Sequence, residues 1–322
     1  MATGAVPVTA DPPSRRGLSL QRSLHALLAH LVVALVALVG IGGATRVMQA
    51  GLACPDWPLC YGTLLPGRQM NLQVFLEWFH RLDAFLVGIA LLVAMAFSLF
   101  RSRGLPAWLP WGVGLSLLLV AVQGGLGALT VLRLLEAGTV TAHLLTALLL
   151  VLVVSACAEG LASSQIAEPL PPPPWWWPVT TVSTVLLVSQ CGLGGAMASR
   201  WASSLCLESG ESCRWLLLHR LGAWPALIGL LLPGLAALSL PRPQRLPLGR
   251  LALGLALLAP AQVLLGVLTL RHELSQPLIT VAHQITAAIL VALLGSIWGR
   301  SLAPLLPSRS IPACSTPEMA HG

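Results

Sequence analysis

Residues 79–85 read FHRLDAF and residues 218–224 read LHRLGAW. Residues 123–130 read QGGLGALT and 262–269 QVLLGVLT, while 142–147 read AHLLTA and 282–287 AHQITA. Three matched pairs in the same order mark a tandem duplication. Each member lies in or beside a long apolar run, so the repeated unit is a set of membrane-length helices. Working outward from these stretches gives the rest of the chain its place.

The chain of 322 residues is 56% hydrophobic and 9% charged, against about 25% charged in soluble domains. A span needs roughly 20 apolar residues. Runs long enough occur at about 25–45, 75–100, 107–132, 138–158, 176–199, 215–239, 248–270 and 278–299. Each repeat thus takes four spans, and the two halves share one orientation. The expected fold is an all-α membrane protein of eight transmembrane helices, two four-helix bundles related by a pseudo-twofold axis along the membrane normal. Its expected parts are a cytoplasmic tail over 1–24, bundles over 25–158 and 176–300, a Pro-rich linker over 159–175 and a disordered cytoplasmic tail over 301–322. Pro171 to Pro174 stiffen the linker, and Trp175 to Trp177 read as an interfacial anchor. The first apolar run is too long for a signal-peptide core and lacks a convincing cleavage site, so it reads as a retained helix.

The formal charge of +7 belongs to arginine, since lysine is absent. In a lipid-solvated chain this excess is read against topology, with no nucleic-acid partner. With the N-terminus inside, the inner segments carry Arg15, Arg16, Arg22, Arg101, Arg103, Arg242, Arg245, Arg250, Arg300 and Arg309. The outer ones carry Arg46, Arg68, Arg133, Arg200, Arg214 and Arg271. The balance puts both termini in the cytoplasm. Cys54 and Cys60 then share one outer loop, and Cys206 and Cys213 another, on the side where disulfides persist. Cys157 and Cys191, within spans, read as ordinary buried cysteines.

The repeat carries histidines. His80 and His219 open spans two and six, and His143 and His283 lie in the first turns of spans four and eight. Histidines facing each other across a four-helix bundle can hold a haem iron from both sides. One histidine in a span is more often a packing residue; four at matched positions favour a ligand role, for ionisable groups in spans are costly. Zinc would need further ligands nearby, and the sequence offers none. Arg81 and Arg220, each next to a histidine, and Arg46 are candidates to grip haem propionates, or else snorkel to lipid headgroups. His25 and His30 read as interfacial; His272 and His321 carry no role.

The symmetry breaks at Glu77, three residues before His80, whose counterpart is Leu216. A carboxylate at one site only suggests chemistry in the first half and a resident haem in the second. Pairing of Glu77 with Arg81, four residues on, is the plainer reading.

GGATR (42–46), AGLACPDWPLCYG (50–62) and EWFHR (77–81) resemble the signature stretches of the haem A synthase family (CtaA type, the bacterial form with two loop cysteine pairs). The likeness runs over all eight spans. It implies oxidation of the C8 methyl group of haem O to a formyl group by successive hydroxylations. His80 and His143 would frame the substrate haem O, His219 and His283 would ligate a haem b cofactor, and Glu77 matches the family's essential glutamate. It further implies disulfides Cys54–Cys60 and Cys206–Cys213, the first either redox-active or a structural staple. A bacterial plasma membrane, or another energy-transducing membrane, is the expected location. Contacts with a haem O synthase and a terminal oxidase, and an unidentified electron-transfer partner, are family expectations. Read from the residues alone, a di-haem b electron-transfer cytochrome and a non-catalytic haem carrier stay open; neither needs Glu77.

Overall fold

A computed structural model describes residues 15–100, 105–164, 170–197 and 213–306. Among them are eight long helices: α1 (Arg15–Val47), α2 (Leu72–Phe100), α3 (Leu109–Leu132), α4 (Ala137–Ser163), α5 (Trp176–Met197), α6 (Arg214–Ala237), α7 (Arg242–Arg271) and α8 (Pro277–Leu302). All eight are long and apolar enough to cross a membrane, and the described residues contain no strand beyond the bridge between Cys60 and Thr63. In lipid every backbone polar group must be paired within the segment, which the helix does by itself. The chain is an integral membrane protein.

In each half every helix packs on the next, and the fourth returns to the first: α1–α2–α3–α4–α1 and α5–α6–α7–α8–α5. Helices α2 and α4 therefore stand diagonally, without backbone contact, and so do α6 and α8. The two rings join mainly along α4 and α8, with α1 against α8 and α5 against α4. The α4–α8 seam is built from small residues. A Cβ on Gly295 would overlap the Leu152 carbonyl, and one on Gly299 the Ala156 carbonyl. Lipid offers no hydrophobic drive to join two helices, so close backbone approach and dispersion must hold them. At one end of the seam Arg300 of α8 forms an ion pair with Glu159 of α4.

The turns leading into α4 and α8 also match. Leu134 and Leu135 have φ of 51° and 62°, and Glu273 and Leu274 have 49° and 62°. Left-handed backbone at non-glycine residues is strained, so an identical pair in both halves means the tight turn is imposed by the helices it joins.

Several boundaries differ from expectation. α1 begins at Arg15, within the expected tail, and α4 continues to Ser163, into the expected linker. Polar residues extend both helices because a helix needs lipid-like hydropathy only within the bilayer core. Trp176 is no interfacial anchor: it is fully buried, with its indole N–H donating to Ser301 Oγ at 3.1 Å. Trp175 alone of the three is exposed. Residues 1–14, 165–169 and 307–322, which hold parts of the expected tails and linker, lie outside the described residues.

Prolines 225 and 233 lie inside α6. Pro233 has no N–H for the carbonyl four residues back, at Gly229. The Ser183 hydroxyl of α5 donates to that oxygen at 2.6 Å. Replacing Ser183 by Ala should lower stability by about 1–3 kcal/mol through an unpaired buried carbonyl. Adding Pro233→Ala, which restores the missing N–H, should recover most of the loss. Thermal unfolding of the four proteins in detergent tests this; equal losses with and without the proline change would remove the explanation.

Candidate functional site

Two constructions sit at the same end of the helices: a loop latched onto α2, and two histidine pairs inside the bundles.

The loop between α1 and α2 is closed by the disulfide Cys54–Cys60, with Cα atoms 4.8 Å apart. Both cysteines are buried, packed with Val74 of α2 and flanked by Ala53, Met70 and Trp78. Three side chains of α2 hold the loop. Glu77, only 4% exposed, accepts from the Cys54 amide at 2.8 Å and from Arg81 Nη2 at 2.5 Å. Arg81 Nη1 donates to the carbonyls of Asp56 and Leu59, each at 2.6 Å. Trp78 Nε1 donates to Leu64 O at 2.6 Å. Glutamate, tryptophan and arginine at 77, 78 and 81 lie within one helical turn or so, which is why they act together. The plainer reading of Glu77 as a partner of Arg81 describes a real contact, and the Cys54 amide adds a second donor. Arg81, a candidate for propionates, is engaged here with the loop.

Within the loop, Asp56 Oδ1 accepts from the Tyr61 amide at 2.6 Å and Oδ2 from the Gly62 amide at 2.7 Å. The Gly62 amide in particular, with the Tyr61 amide and the nearby Arg81 charge, holds the Asp56 carboxyl below its ordinary value. Gly62 has φ of 71°, a conformation natural to glycine.

His80 of α2 and His143 of α4 meet across the diagonal of the first ring, with ring centroids 6.5 Å apart and planes at 71°. The Nδ1 atoms of both are buried without a hydrogen-bond partner, an unusual state for buried polar atoms. An iron held by two imidazoles separates their centroids by about 6 Å, from bonds of about 2 Å and the ring radius. The spacing, the orphaned nitrogens and the diagonal gap fit a metal porphyrin held from both faces.

His219 of α6 and His283 of α8 occupy the matching places in the second ring, and here partners are present. The Gln190 amide lies 3.1 Å from His219 Nδ1 and donates to His219 O at 2.7 Å. His283 Nδ1 lies 3.1 Å from the Gln262 carbonyl, and its Nε2 3.4 Å from Gln262 Nε2. Arg46, from the end of α1, comes within electrostatic reach of His283. Arg220 is exposed. No group of three or more His, Cys, Asp or Glu able to hold a metal ion occurs among the described residues.

Sequence reasoning passed over four glycines. A Cβ on Gly42, Gly127, Gly194 or Gly266 would lie 3.1, 3.5, 2.9 and 3.0 Å from the Cε1 atoms of His80, His143, His219 and His283 respectively. Each imidazole is thus seated against a glycine of the preceding helix. The signal was present: GGA recurs at 42–44 and 194–196, and Gly127 and Gly266 are the shared glycine of QGGLGALT and QVLLGVLT. Cys157 and Cys191 are free thiols within helices. Cys206, and with it the expected Cys206–Cys213 pair, lies outside the described residues.

The described residues thus form a membrane protein of eight helices in two rings, with histidines on the second and fourth helix of each. Residues 25–294 match the family model described as Cytochrome oxidase assembly protein (COX15-CtaA). The "Heme A synthase" of Sphingopyxis alaskensis is 30% identical over 312 residues, covering 80% of this chain and 86% of that protein. That of Shewanella oneidensis is 30% identical over 187 residues, 52% of this chain and 54% of that one. A "Protoheme IX farnesyltransferase" of Haloarcula marismortui is 37% identical over 108 residues, 34% of this chain and 22% of its own. The chain belongs to the COX15-CtaA family of cytochrome oxidase assembly proteins.

Asp56 gives a pH test. A depressed carboxyl stabilises the loop above the unfolded aspartate value of about 3.9, and the contribution fades as pH falls through the lower folded value. Amide exchange at Tyr61 and Gly62, corrected for intrinsic rate, should speed up on acidification below that range. Asp56→Asn should exchange fast at every pH; retained acid sensitivity would assign the effect elsewhere.

Proposed function

We propose that this chain is a haem A synthase, oxidising the C8 methyl group of haem O to a formyl group. The observation that carries the proposal is the coincidence, in the first half only, of a facing histidine pair and a buried carboxylate one turn away. The relatives named as heme A synthases support it. In this reading haem O lies between His80 and His143, and a resident haem b between His219 and His283. When bound, haem b supplies one-electron redox chemistry beside the substrate site.

Two successive hydroxylations carry the methyl carbon through an alcohol to a geminal diol, which loses water to leave the aldehyde. Each inserts one oxygen atom and is a two-electron oxidation of that carbon: with water as the oxygen source, two electrons and two protons leave for an electron-transfer partner of the chain. His80 and His143 fix the plane of the substrate, and Gly42 and Gly127 let the imidazoles approach without a Cβ between. Glu77 is held in place before the reaction by Arg81 and the Cys54 amide. A carboxylate with both oxygens occupied is set up as a fixed negative charge facing a carbon that becomes positive. Taking a proton would mean displacing one of its two donors, so charge stabilisation is the favoured role. Arg81 then acts through the loop, while Arg46 and Arg220 are the arginines assigned to propionates.

The assigned orientation has both termini in the cytoplasm of a bacterium, with the latched loop outside and a pseudo-twofold axis along the membrane normal. Haem O would arrive from a haem O synthase and haem A leave for a terminal oxidase.

Pigment analysis of the purified protein, expressed with a haem O synthase, tests the function. Haem A is expected from the parent chain, and from Glu77→Ala no haem A but undiminished haem b. Haem b alone in both proteins would instead indicate an electron-transfer cytochrome. For the orientation, a membrane-impermeant thiol reagent should reach Cys54 and Cys60 from the outside only after reduction. Labelling from the cytoplasmic side would invert the topology.

A further inference from the structure

Helix α7 opens with RPQRLPLGR over residues 242–250 and carries no aspartate or glutamate anywhere in its length. It runs toward the turn that enters α8 and His283, so these first turns lie at the end of the bundles opposite the histidines. Arg242, Arg245, Leu246, Gly249, Arg250 and Leu253 line an open groove of about 290 Å³. At about 100° per residue, Arg245 and Arg250 fall on either side of a strip formed by Leu246, Gly249 and Leu253, with Arg242 at its head. Gly249 is the floor, for a Cβ there would meet nothing within 4 Å. All three arginines are exposed, as are Leu246 and Leu253. None of the three pairs with a carboxylate among the described residues. Arg245 Nε donates to Leu240 O at 3.2 Å, which steadies the side chain and leaves both Nη groups for another acceptor.

We propose that this groove binds an anionic phospholipid, its phosphate gripped by Arg242, Arg245 and Arg250 over Gly249 and an acyl chain laid along Leu246 and Leu253. Three cations in the opening turns of a helix stand at the positive end of its dipole, where an anion is favoured and a cation is not. Arginines that only set topology or snorkel need no common face and no cleared floor. The guanidinium fork matches phosphate oxygens, and basic pockets at the ends of transmembrane helices suit such headgroups. Leu253 lies about 6 Å deeper along α7 than Gly249. Only a lipid has a chain to lay there, which separates it from free phosphate. A headgroup held in the groove neutralises the first turns of α7 and fixes the depth of that helix in the bilayer. The site lies away from both histidine pairs, and the inference stands apart from the haem A synthase reading.

The test titrates the full chain, stripped of lipid in detergent, with phosphatidylglycerol or phosphatidylcholine, and native mass spectrometry gives the affinity of the first lipid bound. The parent chain should prefer phosphatidylglycerol. Replacing Arg242, Arg245 and Arg250 together by Gln should weaken its binding about a hundredfold, at roughly fivefold for each arginine beside a membrane surface. Arg250→Gln alone should show the single step, whereas Arg22→Gln, at the same end but on α1, should not. Gly249→Leu keeps every charge and fills the floor, so it too should weaken binding. Unchanged thermal unfolding of these single variants in detergent shows that they fold. Inorganic phosphate, compared with chloride at equal ionic strength, should displace the lipid only weakly. Equal affinity for the two lipids, equal losses from Arg22→Gln and Arg250→Gln, or parental binding by Gly249→Leu would reduce the patch to diffuse charge and overturn the proposal. Displacement by inorganic phosphate at concentrations matching those of phosphatidylglycerol would overturn it as well, leaving a site for free phosphate.

Discussion

The backbone-to-backbone approach of α4 and α8 is the constraint on which the rest of the structure depends. Gly295 and Gly299 bring α8 onto the carbonyl groups of Leu152 and Ala156, and Glu159 and Arg300 close one end of the seam with an ion pair. Both helices also carry a histidine, one for each ring, in their first turns. Drawing α4 and α8 together therefore fixes the relative position of His143 and His283. Any side chain at Gly295 or Gly299 would have to push the helices apart, and no hydrophobic gain in lipid would offset that cost.

A second constraint acts at the first site alone. Glu77 and Arg81 tie the Cys54–Cys60 loop to α2 through the Cys54 amide and the carbonyls of Asp56 and Leu59. The carboxylate that the proposed chemistry needs is therefore also part of what holds the covering loop. In a low-dielectric site a charge with fixed partners keeps its place without solvent, and preorganisation of this kind is what stabilises developing charge. Position 216 holds leucine, so the second half has no equivalent carboxylate on α6.

The glycines seated under the imidazoles show how a duplicated unit keeps one feature while diverging in another. Gly42, Gly127, Gly194 and Gly266 repeat the same close contact at all four histidines. The residues around that contact differ: Gln190 and Gly222 stand where the first half has Leu38 and Asp83. The same seat thus serves an imidazole whose Nδ1 lies against the Gln190 side chain in one ring and imidazoles whose Nδ1 atoms have no partner in the other. Prolines inside α6 show comparable divergence, with Ser183 supplying the hydrogen bond that Pro233 withholds.

Eight apolar runs, a tandem repeat, four matched histidines and the isolated Glu77 were all legible in the sequence. Each depends on residue type and spacing along a helix, which period and hydropathy report directly. The place of His80 opposite His143 followed from bundle logic, but their 6.5 Å separation did not. Nor did the burial of Trp176, the engagement of Arg81 with loop carbonyls, or the four glycine seats, although the repeated GGA was in view. These belong to contacts between segments far apart in the chain, and periodicity says which face of a helix is apolar but not which neighbour meets it. The sequence by itself determined how many helices there are and which residues are candidates for chemistry, because lipid demands apolar length and paired backbone groups of every span. Only the tertiary structure decided which histidine nitrogens have partners and where Glu77 is held, because those depend on how closely two helix backbones can approach.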